Sequence, residues 1–386
     1  MLFIDFKAHN ERSKEIWKAF EQKKPLRVPV VIYADVRNWL YEPNENVDSI
    51  TMCDYIRDPD IMLGCQVKSM EWIRHNILSD GDMGYPEEGW SVRVDFQNFL
   101  EPVWFGGKIK YGKEPHVEPF LNDENKWSIL DNGIPAPFSG INAQAIEYYE
   151  HFIERKKDFT HKGIPLFNID MPFNMTGTDG PFTNACSIRG TENFIMDMLE
   201  DPVYAHQLLA FVTLASVERI KETRKYLGIE SKDIGFGCAD DSIVLLSLDM
   251  FREYVLPYHK LMFNELSTGA GVRSMHLCGD AQRFFALLNR ELNVVSFDTG
   301  FPINFETLYD ELSPDVTILG GPSTKLIRYG NSEEVKNEAK RILRSGVMEK
   351  SKAFILREGN ALAPGTPIPN VNAIYEAAEE AGYYIS

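Results

Sequence analysis

The sequence predicts an α/β fold, a single (β/α)8 TIM barrel spanning residues 1–386 with an elaborated insertion at 79–132 in its N-terminal half. Three observations lead there. Short β-rich runs alternate with helical patterns, which implies a parallel sheet. The strand count comes to seven or eight, which favours a closed barrel over an open sheet. No Ser/Gly linker or low-complexity tract marks a second domain.

The β-rich runs, in order, are Arg27–Asp35, Pro165–Pro172, Asp233–Asp241, Val272–Gly279, Val294–Gly300, Val316–Ser323 and Phe354–Ala361. Trp90–Phe96 is either an eighth strand or a hairpin of the insertion. Between these runs, Thr191–Leu227 carries apolar residues at helical spacing and is split at Asp201-Pro202, with Asp201 placed to cap the second helix. Leu248–Leu266 is amphipathic, and its interior Pro257 must bend or divide it. Glu333–Ser345 repeats the pattern with a charged outer face. The 79–132 region is rich in Gly, Pro and aromatics and poor in helical periodicity.

Composition narrows the function. With 40 Lys and Arg against 57 Asp and Glu, the net charge is −17, which argues against a nucleic-acid partner. No apolar run reaches the roughly 18 to 20 residues of a membrane helix. The leading Met1-Leu2-Phe3-Ile4-Asp5-Phe6 has an early acid and no basic lead-in, unlike a signal peptide. Five scattered cysteines fit reduced thiols. A cytoplasmic protein is expected.

Barrels of this kind place their chemistry at the C-terminal strand ends. Those ends supply Asp35, Asp170, Asp240 with Asp241, His276 with Cys278, Asp298, Ser323 with Thr324, and Asn360. His276 and Cys278 are two apart on one strand and project to the same side, as a pair of soft metal ligands would. The aspartates, taken singly, serve equally well as turn formers or helix caps.

Several motifs resemble the uroporphyrinogen decarboxylase family. They are His276-Leu277-Cys278-Gly279, Gly180-Pro181-Phe182-Thr183 followed by Arg189-Gly190, the stretch from Asp241 to Tyr258, and Gly359–Pro367. The resemblance runs from about Pro25 to the C-terminus and implies the family's barrel. The family holds porphyrinogen decarboxylases of heme biosynthesis and zinc methyltransferases that move methyl groups between corrinoid proteins and thiols. His-x-Cys-Gly resembles the methyltransferase branch, which implies Zn2+ held by His276 and Cys278, with Asp298 in the place of an acidic ligand. Asn360 stands where that branch carries a late cysteine, so either its amide oxygen completes the ligand set at lower affinity, or Asp241 or Cys238 fills in.

The resemblance further implies a methylcorrinoid on a partner carrier protein as donor and a small thiol or tetrahydrofolate-type molecule as acceptor. Asp240 and Asp241 are expected as catalytic residues that orient the acceptor or support His276. Tyr33, Asp35, Arg37 and Trp39 are expected to bind substrate at the mouth. The aromatic run Val103-Trp104-Phe105-Gly106-Gly107 is a candidate dock for the corrinoid carrier, and a homodimer is plausible. Decarboxylation ranks second, because Arg37 lacks a partner arginine and Asp35 would repel a polycarboxylate. A member that has lost its metal and only binds a ligand or a corrinoid partner is the third reading.

Overall fold

The computed structural model describes residues 4–112 and 114–384; the Met1–Phe3 part of the leader reading lies outside them. Seven parallel strands carry the architecture: β1 (Trp90–Arg93), β2 (Ile164–Asp170), β3 (Phe236–Ala239), β4 (Arg273–Leu277), β5 (Ser296–Thr299), β6 (Thr317–Gly320) and β7 (Phe354–Leu356). β3 to β7 form one five-stranded parallel ladder in chain order, and β1 pairs in parallel with β2. Each ladder strand corresponds to an apolar run in the sequence.

The first apolar run, from Arg27, forms an extended segment rather than a full ladder strand. It joins β7 by a parallel bridge at Val30 and Leu356, with Val31 N–H donating to Leu356 O and Leu356 N–H to Pro29 O. Its other edge meets the side chain and backbone of Asp80. Asp80 N–H donates to Val30 O at 2.8 Å, and Val30 N–H donates to Asp80 Oδ2 at 2.6 Å. β1 is likewise covered by a side chain, since Gln66 accepts from Arg93 N–H and donates to Arg93 O. Between β2 and β3 a loop intervenes, with Ala239 N–H donating to Thr178 O. Backbone polar groups must be satisfied when buried, and here side chains and a loop satisfy them where neighbouring strands splay apart.

The region expected as an insertion contains part of the frame. Trp90–Arg93 is a strand of the parallel sheet, and the following short helix Leu100–Trp104 places Glu101 in the core. Glu101 is fully buried and accepts from Thr178 Oγ1, the Asp179 N–H, Asn174 Nδ2 and Arg219 Nη2. Trp104 and Phe105 are buried as well, so the aromatic run packs the core and offers no docking face. The period-two pattern of 90–93 was visible, but its partner strand lies seventy residues away and left no local mark.

The helices follow their caps. Thr191–Glu200 and Pro202–Tyr226 are separate, and Asp201 accepts from Tyr204 N–H at 3.2 Å. The Leu248–Leu266 pattern breaks where Pro257 stands: a short helix and a π turn precede the regular helix Leu256–Leu266. A proline lacks the N–H that a continuous helix needs there. No helix among the described residues is long and apolar enough to cross a membrane.

Arg27 anchors the leading segment. Its guanidinium forms a two-pronged contact with Asp80, both side chains fully buried. Removing one partner of such a pair leaves an uncompensated charge in the core. Arg27→Met is expected to cost about 3 to 5 kcal/mol of stability, measured by urea unfolding. A loss below about 1 kcal/mol would show that the pair does not hold this segment.

Candidate metal and methyl-transfer site

The C-terminal ends of the strands open on one cavity of about 650 Å³, lined by groups from the leading segment, β1, β2, the turn after β3, β4, β5 and the turn after β7. His276 on β4 is among the lining residues. Its neighbour across the ladder, by register, is Asp298 on β5. That pairing brings Asp298 Oδ2 to 2.7 Å from His276 Nδ1. The other ring nitrogen, Nε2, lies 3.1 Å from Cys278 Sγ and 3.7 Å from Asp241 Oδ1.

Two glycines make the turn after β4. Gly279 has a φ of +68°, in the left-handed region that favours glycine. Gly300, at the end of β5, approaches so closely that a Cβ there would lie 2.4 Å from Gly279 N. The strand end can therefore fold Cys278 back beside His276. Asp241 completes the group by accepting the Cys278 N–H at 2.7 Å, which ties the turn after β3 to the turn after β4.

The adjacent aspartates part company. Asp240 is fully buried and accepts from the Phe182 and Thr183 N–H groups, the Thr183 hydroxyl and His259 Nε2. It thus anchors the N-terminus of the helix Pro181–Arg189, which explains the Gly180-Pro181-Phe182-Thr183 motif as structural. Gly180 itself, at φ +85°, lies so near that a Cβ would meet Ala239 O at 2.4 Å. The expectation that Asp240 is catalytic is corrected: all its hydrogen bonds turn into the core. Asp241 alone reaches the cavity.

Asp298, expected as a metal ligand, sits instead behind the ring. One oxygen holds His276 Nδ1, and the other accepts from Arg357 Nη1 at 2.5 Å. Burial alone would raise its pKa, but the His276 hydrogen bond and the Arg357 charge outweigh burial and hold it below the usual carboxylate range. This is the carboxylate–histidine arrangement that fixes a metal-binding imidazole. Arg357 also donates to Glu358 Oε1 at 2.7 Å, and burial pushes Glu358 up to about 7. Sequence reasoning missed Arg357, although it directly precedes the Gly359-Asn360 motif at the end of β7.

Asn360 also differs from its expected place in the ligand set. Its Oδ1 accepts the Ala361 N–H at 2.8 Å, which turns Nδ2 toward Cys278 Sγ at 3.0 Å. The amide is a donor to the sulfur. Cys238, the other candidate to fill in, is a buried core thiol whose pKa burial pushes well up.

The expected substrate residues divide. Tyr33, Asp35 and Arg37 line the cavity, with Asp35 and Arg37 bonded to each other and Asp35 capping the short helix Val36–Leu40. Trp39 is buried at 3% exposure and is a packing residue. Ser323 caps the helix Thr324–Tyr329 and has no share in the site.

The donors fit a tetrahedral zinc. With bonds of about 2.0 to 2.3 Å, such an ion sets its donors roughly 3.3 to 3.8 Å apart. His276 Nε2, Cys278 Sγ and a carboxylate oxygen of Asp241 all lie within 4.8 Å of one another. The electrostatics agree. Burial opposes a charged His276, yet hydrogen bonds to Asp298 and Cys278 and the charge of Asp241 prevail and push its pKa up to about 10. The group thus favours a positive charge at this spot.

Two expectations follow. In chelator-treated protein, the His276 proton stabilises the fold fully below the ring's ordinary 6.5, and that contribution fades as pH rises through about 10. NMR should find His276 still an imidazolium near pH 8, with protons released when zinc is added; a neutral ring without metal would contradict this. Separately, Asp240→Ala should cost about 3 to 5 kcal/mol in urea unfolding, and Asp241→Ala less than about 1 kcal/mol. Equal losses would erase the division of roles.

The family model described as uroporphyrinogen decarboxylase (URO-D) matches residues 168–381, the span that holds the end of β2, all of β3 to β7, and Asp241, His276 and Cys278. A methylated-thiol–coenzyme M methyltransferase of Methanosarcina mazei is 26% identical over 202 residues, 52% of this chain and 51% of that protein. The chain thus matches about half the length of that curated relative. A solved structure, a methyltransferase from Methanosarcina mazei, superposes with a TM-score of 0.63 at 20% identity, covering 95% of this chain and 98% of the other. That likeness carries the fold, and the match over more than half of the sequence carries the kinship. The chain belongs to the uroporphyrinogen decarboxylase family.

Proposed function

We propose that the protein is a zinc-dependent methyltransferase that passes a methyl group from a methylated corrinoid on a carrier protein to a small thiol. The observation that carries this reading is the convergence of His276, Cys278 and Asp241 at the edge of an open cavity. Three protein donors are what catalytic zinc takes, leaving its remaining position to substrate. The methyltransferase relatives support the same class of reaction. We further infer that the strands and the leading segment form the eight staves of a closed barrel, since every C-terminal end but that of β6 lines one cavity and β6 is paired between β5 and β7.

A zinc ion at this site would supply a Lewis acid that makes an incoming thiol a thiolate near neutral pH. The chain's own residues do the rest. Asp298, braced by Arg357, holds His276 with Nε2 facing the site. Asn360 donates to the Cys278 sulfur, drawing electron density from the thiolate ligand. Asp241 contributes a second negative charge where a late cysteine would have contributed one. With one thiolate and one carboxylate, the donor set still balances a divalent ion.

The acceptor is a thiol rather than a tetrahydrofolate-type molecule in this reading, because the soft, thiolate-containing donor set suits sulfur. The carrier docks at the cavity mouth, beside which the metal group lies. A cytoplasmic location and a homodimer remain part of the proposal. A polycarboxylate porphyrinogen suits the cavity poorly. Of its three lining arginines, Arg37 and Arg357 are already engaged by Asp35 and by Asp298 with Glu358, which leaves Arg93 alone to meet many carboxylates.

Protein purified without chelator should hold near-stoichiometric zinc and transfer methyl groups from methylcobalamin to a thiol. His276→Ala and Cys278→Ala should lose both. Asp298→Asn should weaken zinc about 10- to 100-fold while leaving the fold intact. A parent that takes up no zinc even after reconstitution overturns the proposal.

A further inference from the structure

Nearly every charged group that faces the cavity is already spoken for. Asp35 is clasped by Arg37, and Asp298 by His276 and Arg357. Asp95 accepts from the Tyr55 hydroxyl and from Gln97, Asp179 from Asn174, and Asp241 from the Cys278 N–H. Two charged side chains of the lining have no hydrogen-bond or ion-pair partner among the described residues: Arg93 and Asp170. Both are exposed to the cavity.

Their placement is not incidental to the fold. Arg93 ends β1 and Asp170 ends β2, and the two are register partners across that parallel ladder. The backbone of Arg93 is locked by Gln66 on one side and by β2 on the other, so its side chain leaves from a fixed point. The next strand, β3, leads directly into Asp241 of the metal-ligand group. A positive and a negative side chain thus leave from register-paired strand ends and line the same cavity as Asp241 and His276.

We propose that Arg93 and Asp170 form a subsite for a zwitterionic α-amino-acid head, so that the methyl acceptor is an amino-acid thiol. This rests on the methyltransferase reading and names the class of its acceptor. The carboxylate matches the planar guanidinium fork, and the ammonium matches the aspartate. A ligand with both charges leaves neither residue unpaired in a half-closed cavity. One with an anion alone would face Asp170, and one with a cation alone would face Arg93. Each mismatch strands a charge that water had solvated, which is how a polar site rejects an analogue lacking one group.

The test is calorimetric binding to the protein as purified, with L-methionine as the methylated product mimic. The same thioether lacking the amino group and the same thioether lacking the carboxyl group are the comparators. Methionine is expected to bind roughly tenfold or more tightly than either. Arg93→Met should abolish its advantage over the amine, Arg93→Lys should restore part of it, and Asp170→Asn should abolish its advantage over the acid. Equal binding of all three compounds, or an advantage unchanged in both charge-removing variants, overturns the proposal. Loss of zinc or of methyl transfer would instead count against the parent reading, because this binding is measured without turnover.

Discussion

The hydrogen bond between His276 Nδ1 and Asp298 Oδ2 is the contact on which the rest of the site depends. An imidazole has two nitrogens, and a metal site needs one of them held away. Parallel register does this, because His276 and Asp298 lie opposite each other on adjacent strands. Arg357 then reaches across from the end of β7 to hold the far oxygen of Asp298. Three strands are thereby tied at their C-terminal ends by a single polar chain. Its outcome is that Nε2 can face only Cys278 and Asp241.

The same economy shows in the turn after β3. Asp240 and Asp241 are neighbours, and one turn of backbone sends them in opposite directions. Asp240 goes into the core, where four donors fix it and it fixes a helix. Asp241 goes into the cavity, positioned by a backbone N–H from the turn that carries Cys278. The scaffold and the site therefore share a hinge point. Displacing the helix Pro181–Arg189 would move Asp241 through the turn they share, where Thr183 Oγ1 also accepts the Ser242 N–H.

Much of this was legible in the sequence because strand ends are marked by apolar runs that stop at polar residues. That rule found every strand of the five-stranded ladder and put His276, Cys278, Asp241, Asp298 and Asn360 at one rim. It did not find their roles. Whether an aspartate at a strand end faces core or cavity depends on the backbone of a two-residue turn, so Asp240 and Asp241 read alike. Asn360 was legible as a departure from the family's cysteine, but its donor role depends on how the Ala361 N–H orients the amide. Trp39, Trp104 and Phe105 looked like surface aromatics because their partners are distant in sequence. The two charges of Arg93 and Asp170 gained meaning only when the ladder between β1 and β2 set them side by side.

The central claim is a zinc ion held by one sulfur and by nitrogen and oxygen, with Asp241 in place of a second cysteine. X-ray absorption at the zinc edge, on protein loaded with one equivalent of metal and no added thiol, reads that ligand set directly. The account predicts a shell of a single sulfur at about 2.3 Å with the remaining ligands nitrogen or oxygen at about 2.0 to 2.2 Å. A shell with two sulfurs, or with none, would contradict it.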